Sequence, residues 1–262
     1  MKTELTFSTL RFFPLLILAM LVNILAQAAH ETGHHLVYQV MGHEPVWAFT
    51  KVVQMSDAIP SNPDEWTMKR YPDGATNWIK ASSLPSGNMD EAVAAAAGPL
   101  LGLLSAILGL VMSRRSVRVT SKQAWLAYTL SIALVAVLYY LRVPTRTGGD
   151  EYDIAVNLGI AKSFVEIPLA LGYLACLAFG LLELPTLKIR LTWLGIILLG
   201  SITTGLPMAL LDPIIIAQVD TGNPWFQPIM GYSLPVFFTI ILTFLGLLAW
   251  ARWQRQQVDL NI

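Results

Sequence analysis

Six apolar runs of about twenty residues, separated by charged or turn-rich stretches, leave this 262-residue chain few folds to choose from. A helix rising 1.5 Å per residue needs about 20 residues to cross the roughly 30 Å hydrocarbon layer of a bilayer, and in lipid it satisfies its own backbone groups. The runs fall at 12–41, 92–112, 124–141, 164–184, 191–211 and 232–250. Only 13% of the residues are charged and 55% are hydrophobic, with a mean hydropathy of +0.57; soluble domains carry about a quarter charged residues. The expected architecture is an all-α polytopic transmembrane helix bundle, a single membrane-embedded domain over 1–262.

Charge narrows the classes further. Seventeen basic residues balance 17 acidic ones, and no basic block or aromatic-basic repeat points to nucleic acid. Cys176 is the lone cysteine and lies in an apolar run, so it forms no intrachain disulfide and no C-x-x-C site; packing or lipid contact is its expected role. Lys2 and Arg11 precede the first run, Arg114, Arg115, Arg118 and Lys122 fill the second connection, Lys188 and Arg190 the fourth, and Arg252 and Arg255 follow the last. By the positive-inside rule both termini are cytoplasmic, in a cell membrane. A competing reading makes Lys2, the apolar stretch and Ala26-Gln27-Ala28 a cleaved signal peptide, but the helical pattern continues unbroken through Ala29, Val37 and Tyr38.

Only 42–91 is long enough to build structure outside the membrane. Its Pro, Asn, Asp and Gly content predicts turns around short strand-like pieces such as 47–53, without a core of its own. Trp47, Trp66, Tyr71 and Trp78 are expected at the lipid interface.

All four histidines, His30, His34, His35 and His43, fall within fourteen residues. The stretch His30-Glu31-Thr32-Gly33-His34 is an H-E-x-x-H motif, and on a helix the imidazoles at i and i+4 share one face, where both can hold one metal ion. Glu31 then stands beside the ion as a general base without binding it. The plain alternative is a hydrogen-bonded polar cluster between helices. A catalytic zinc takes a third protein ligand and keeps one position open. His35 is turned about 100° from His34. The better source is the acidic group Gly148-Gly149-Asp150-Glu151-Tyr152-Asp153. Two crossings separate it from His34, so both emerge on the same side of the membrane. Asp150 would open the following helix, with Asp153, one turn on, as the alternative ligand.

The run Ala94-Ala95-Ala96-Ala97-Gly98-Pro99, followed by Gly102 and Ser105, suits close helix approach and would lay this helix against the histidine-bearing one. Glu166, Glu183 and Asp212 fall near span ends, where snorkelling or capping is expected. Thr203, Thr204, Gly205 and Pro207 are a weak mark of a broken helix.

These residues together resemble the site-two proteases, intramembrane zinc metallopeptidases. The resemblance rests on His30-Glu31-Thr32-Gly33-His34 in a membrane helix, with glycine at Gly33, on Ala97-Gly98-Pro99-Leu100 opening the next helix, and on Asp150 beside a glycine. It covers about 23–159, and 42–91 looks like the family's segment that follows the histidine helix and shields the site. The chain departs from the family in lacking the Asn-x-x-Pro pattern and the Leu-Asp-Gly order: Pro144 and Asp150 remain, glycine precedes the aspartate, and Gly102 stands where an asparagine often follows Gly-Pro-Leu. The oxyanion-stabilising residue is thereby unassigned, with Asn157 as a guess. In many members the histidine helix faces the cytoplasm, whereas the charge count here places the site outside.

The resemblance implies a zinc-dependent protease that cleaves membrane-protein substrates in or beside the lipid bilayer, with His30, His34 and Asp150 on Zn2+ and Glu31 as general base. Two other readings keep the metal: a hydrolase of lipid esters or amides, and a transporter or receptor that binds a permeating or sensed cation.

Overall fold

The computed structural model describes residues 12–56, 59–60, 62–70, 76–83, 87–142 and 148–259; Lys2, Arg11, Tyr71 and Pro144 lie outside them. Seven helices are present among the described residues, α1 (Phe12–Val40), α2 (Asn88–Arg115), α3 (Val119–Arg142), α4 (Asp150–Leu158), α5 (Ser163–Leu182), α6 (Leu187–Asp220) and α7 (Leu234–Asp259). All but α4 are long and apolar enough to cross a membrane. The chain is thus an all-α integral membrane protein of six candidate spans; the helices start within five residues of the expected runs, and α6 and α7 run nine residues past their expected ends.

Helix α1 is the hub. It packs against α2, α3, α6 and α7, and Leu15, Leu18, Ala19 and Val22 join Leu126, Leu130, Cys176 and Ile197 in the largest buried cluster. Without a hydrophobic force between helices in lipid, close approach at small residues and buried hydrogen bonds hold such a bundle. A Cβ on Gly200 would lie 2.7 Å from that of Ala19, which sets the α1–α6 crossing. Asn23 ties three helices, donating to Thr204 at 2.7 Å and accepting from Ser131 at 3.2 Å. The helix runs without a break through Ala26-Gln27-Ala28. Outward-facing side chains such as Leu171, Phe164 and Leu242 are exposed and apolar, as a lipid-facing surface requires.

Segment 42–91 differs in detail from its expected form. Its strands are β1 (Met55–Ser56), β2 (Trp66–Arg70) and β3 (Thr76–Lys80), an antiparallel sheet in the order β1-β3-β2. Residues 47–53 are no strand. They form a tight fold-back closed by Val46 N to Val52 O at 2.9 Å and Ala48 N to Lys51 O at 2.8 Å. The sheet has no core of its own: Trp66 packs with Val46 and Ala48 onto Ile215, Ile216 and Val219 of α6. Trp47 and Trp66 are therefore buried in protein rather than seated at the lipid interface, and Trp78 is half-buried against the same cluster.

Helix α6 accounts for that packing. It does not end near Leu211 or break at Pro207 but continues through Pro207 and Pro213 to Asp220, 34 residues in all, so its last turns project beside the sheet. A short hairpin, β4 (Pro228–Ile229) and β5 (Tyr232–Ser233), then leads into α7. Glu183 and Glu166 are ion-paired rather than snorkelling, the first with Arg114 and Lys122 and the second with Lys162.

Candidate metal centre

His30 and His34 stand one turn apart in the last third of α1, and α4, packed on α2, brings Asp150 to them. The three atoms that meet are His30 Nε2, His34 Nε2 and Asp150 Oδ2. Their separations are 3.2 Å between the two nitrogens and 3.3 and 3.4 Å from the carboxylate oxygen to His30 and His34. This near-equilateral triangle is wider than the usual 2.7–2.9 Å of a charge-assisted hydrogen bond. It matches the ligand–ligand edge of a tetrahedron with metal–ligand distances of about 2.0–2.1 Å, which is about 3.3–3.4 Å. A two-His, one-carboxylate set with a fourth direction open toward a cleft fits a zinc ion.

The neighbours of the triangle prepare it for a cation. His34 Nδ1 lies 2.7 Å from the carbonyl oxygen of Ala94. A carbonyl only accepts, so Nδ1 carries the proton and Nε2 presents its lone pair, the arrangement common in metal-bound histidines. Helix α2 can supply that carbonyl only because it lies hard against α1. A Cβ on Gly33 would meet the backbone of Ala97, and one on Gly98 would fall on the His34 ring. The small-residue run is thus the seat of the histidine-bearing helix, as the sequence suggested.

Asp150 is positioned from behind. Gly149 precedes α4 with φ +109°, a conformation open to glycine, and its Cα faces the Tyr139 hydroxyl. The next residue, Glu151, is 1% exposed and accepts from Tyr139 at 3.0 Å and Tyr140 at 2.7 Å. Asp153, the alternative ligand, is turned away from the triangle and bound to Lys69 at 3.0 Å; Lys69 also holds Glu91 at 2.9 Å, which locks β2 onto α2 and α4. Asn157 donates to the carbonyl of Asp153 within α4 and takes no part in the site.

Glu31 is 4% exposed and accepts from Gln27 at 2.7 Å. It lines, with His30, His34 and Asp150, a cleft of about 800 Å³ that runs from Asn23 and Ile132 among the helices to Met55 and Asn77 of the sheet. The fold-back at 47–53 forms one wall, and Asp212 fixes it. This carboxylate is buried inside α6, not at a helix cap, and accepts from Phe49 N at 2.6 Å, from Thr50 N, and from the Thr50 hydroxyl. His35, which points off the metal face, is fully buried against Trp47 and Tyr232.

The sequence reading missed Glu151, Lys69 and Asp212 as organisers of the site. Only Asp212 carried a visible signal, an acid between Leu211 and Pro213 in an apolar run, where a charge demands a partner. The partners of Glu151 and Lys69 are set by helix packing and strand placement, which one sequence does not display. No family model, curated protein or solved structure matches this chain.

Proposed function

We propose that this protein is an intramembrane zinc hydrolase that cleaves peptide bonds in or beside the bilayer, of the kind the resemblance to site-two proteases implies. The observation that carries the reading is the triangle of His30 Nε2, His34 Nε2 and Asp150 Oδ2, with the buried Glu31 carboxylate beside it on the same cleft. His30, His34 and Asp150 would hold the ion. A zinc ion so placed lowers the pKa of its water to about 7 and polarises a carbonyl.

Glu31 takes the proton as water attacks the carbonyl carbon and returns it to the departing amine. Its burial keeps bulk water from competing for that proton, and Gln27 fixes its orientation. A transmembrane substrate has to unwind locally, since helical carbonyls are already hydrogen-bonded. The cleft, lined both by helices and by the sheet, gives an unwound stretch room to lie across the site. The positive-inside distribution of Arg114, Arg115, Arg118, Lys122, Lys188 and Arg190 supports cytoplasmic termini and a site on the opposite face of a cell membrane.

Glu31→Gln is the test. Peptides from apolar segments, incubated with detergent-purified protein and read by mass spectrometry, should be cleaved about 10²–10⁴-fold more slowly while zinc is retained. Equal cleavage by the variant refutes the assignment. Metal-dependent release of fatty acid from membrane lipids, with no peptide cleaved, would favour the lipid hydrolase; cation transport surviving Glu31→Gln would favour the transporter.

A further inference from the structure

A hydrolase of this type needs a donor for the carbonyl oxygen as negative charge develops on it, and the polar side chains on the cleft wall can be counted. Asn23 is held by Thr204 and Ser131, Gln27 by Glu31, and Thr50 by Asp212. Tyr139 and Tyr140 donate to Glu151, Tyr173 donates to the Pro99 carbonyl at 2.9 Å, and Asn77 is engaged with Met55. Among the described residues of the cleft wall, two side-chain donors make no hydrogen bond or ion pair: Tyr38 and Lys51. Lys51 belongs to the 47–53 fold-back that Asp212 holds, not to the helix that carries the histidines.

Tyr38 is placed differently. It follows His34 by one turn of α1 and so shares the face that carries both imidazoles. It lines the same cleft as His30, Glu31, His34 and Asp150. Its ring is wedged between the His43 ring, 6.2 Å away, and the cluster of Trp47, Val52 and Val236. At neutral pH a phenol is protonated and uncharged, so it can donate without competing with the metal for the ligands.

We propose that Tyr38 is the oxyanion donor of this site, its O–H hydrogen-bonding the scissile carbonyl oxygen as that oxygen gains charge. The inference rests on the hydrolase reading above. It would supply that donor from the histidine-bearing helix itself. A preorganised donor of this kind contributes about 10²–10³-fold to kcat.

The experiment compares wild type with Tyr38→Phe, which removes one oxygen and keeps the ring's packing. Two probes are titrated into the zinc-loaded proteins: a phosphinic peptide, whose tetrahedral oxyanion mimics the reacting carbonyl, and a simple alkyl thiol, which takes the metal without an oxyanion. The expected result is a phosphinic-peptide affinity weakened about 10²-fold or more in Tyr38→Phe, with zinc content and thiol affinity unchanged. With a cleaved peptide in hand, kcat falls and KM holds. Equal phosphinic-peptide affinity in both proteins overturns the proposal, and so does loss of zinc from Tyr38→Phe, which would make the residue part of the metal's support. Absence of zinc from the wild type removes the hydrolase reading itself, a result distinct from either.

Discussion

A single methyl group at Gly98 should unload the metal site. The Cβ of an alanine there would fall on His34 Nε2, the atom that meets His30 and Asp150, and stand 2.6 Å from Cδ2 and Cε1, where ordinary contact begins at about 3.4 Å, so the ring has to retreat by more than about 0.8 Å. It has nowhere to go, since His34 is 8% exposed and its Nδ1 is held 2.7 Å from the Ala94 carbonyl of the same helix α2. Metal–ligand distances tolerate about 0.2 Å, so a shift of this size removes His34 as a ligand or parts α1 from α2. Either way zinc affinity should fall by more than the 10–100-fold typical for loss of a residue that merely supports a ligand. The assay is zinc competition with a chromophoric chelator in detergent, with helix content followed by circular dichroism. Gly205→Ala, where nothing lies within 4 Å of the added carbon, is the matched control and should bind zinc as wild type does. A helical Gly98→Ala protein with wild-type zinc affinity would refute the close-packed seat for His34.

Further outcomes follow from the groups around the site. Glu151→Ala orphans the Tyr139 and Tyr140 hydroxyls and frees the start of α4, so zinc affinity should drop about 10–100-fold; unchanged affinity in the same chelator competition would show that Glu151 does not position Asp150. Asp212→Ala leaves the Phe49 and Thr50 amides without their acceptor, at about 1–3 kcal/mol each, and limited proteolysis should cut 47–53 faster; an unaltered cleavage rate would contradict the clamp. For Lys69, burial works against the charge, but Asp153 and Glu91 outweigh it and hold the ammonium above the usual lysine range. A folded pKa above the unfolded one means the contribution is complete below about 10.4 and is lost only at stronger alkalinity. Hydrogen-exchange protection of β2 and β3, corrected for intrinsic rates, should therefore be level from pH 6 to 9, and a fall within that window would refute the role of the ion pairs.

The membrane class and the six helices were legible because apolar length is a direct physical requirement of the bilayer, written in consecutive residues. The meeting of His30, His34 and Asp150 was legible too: helical spacing puts the imidazoles together, and crossing parity puts the acidic group on their side. Where α6 ends was not, because the apolar run stops at Leu211 before Asp212, whereas the helix continues through Pro207 and Pro213 and packs Ile215, Ile216 and Val219 against Val46, Ala48 and Trp66. The tryptophans misled for a related reason. Trp47 and Trp66 have the amphipathic character of interface residues, yet the long α6 gave them an apolar wall inside the protein. That Asp150 and not Asp153 meets the histidines goes with Lys69, which reaches Asp153 on α4 from β2.

Metal content of the detergent-purified protein, wild type beside His34→Ala and Asp150→Ala, tests the central claim most directly. The account predicts about one zinc per wild-type chain, lost or loosened in both variants. A folded wild type that binds no metal at any zinc concentration would contradict it and leave the triangle as a hydrogen-bonded polar contact between helices.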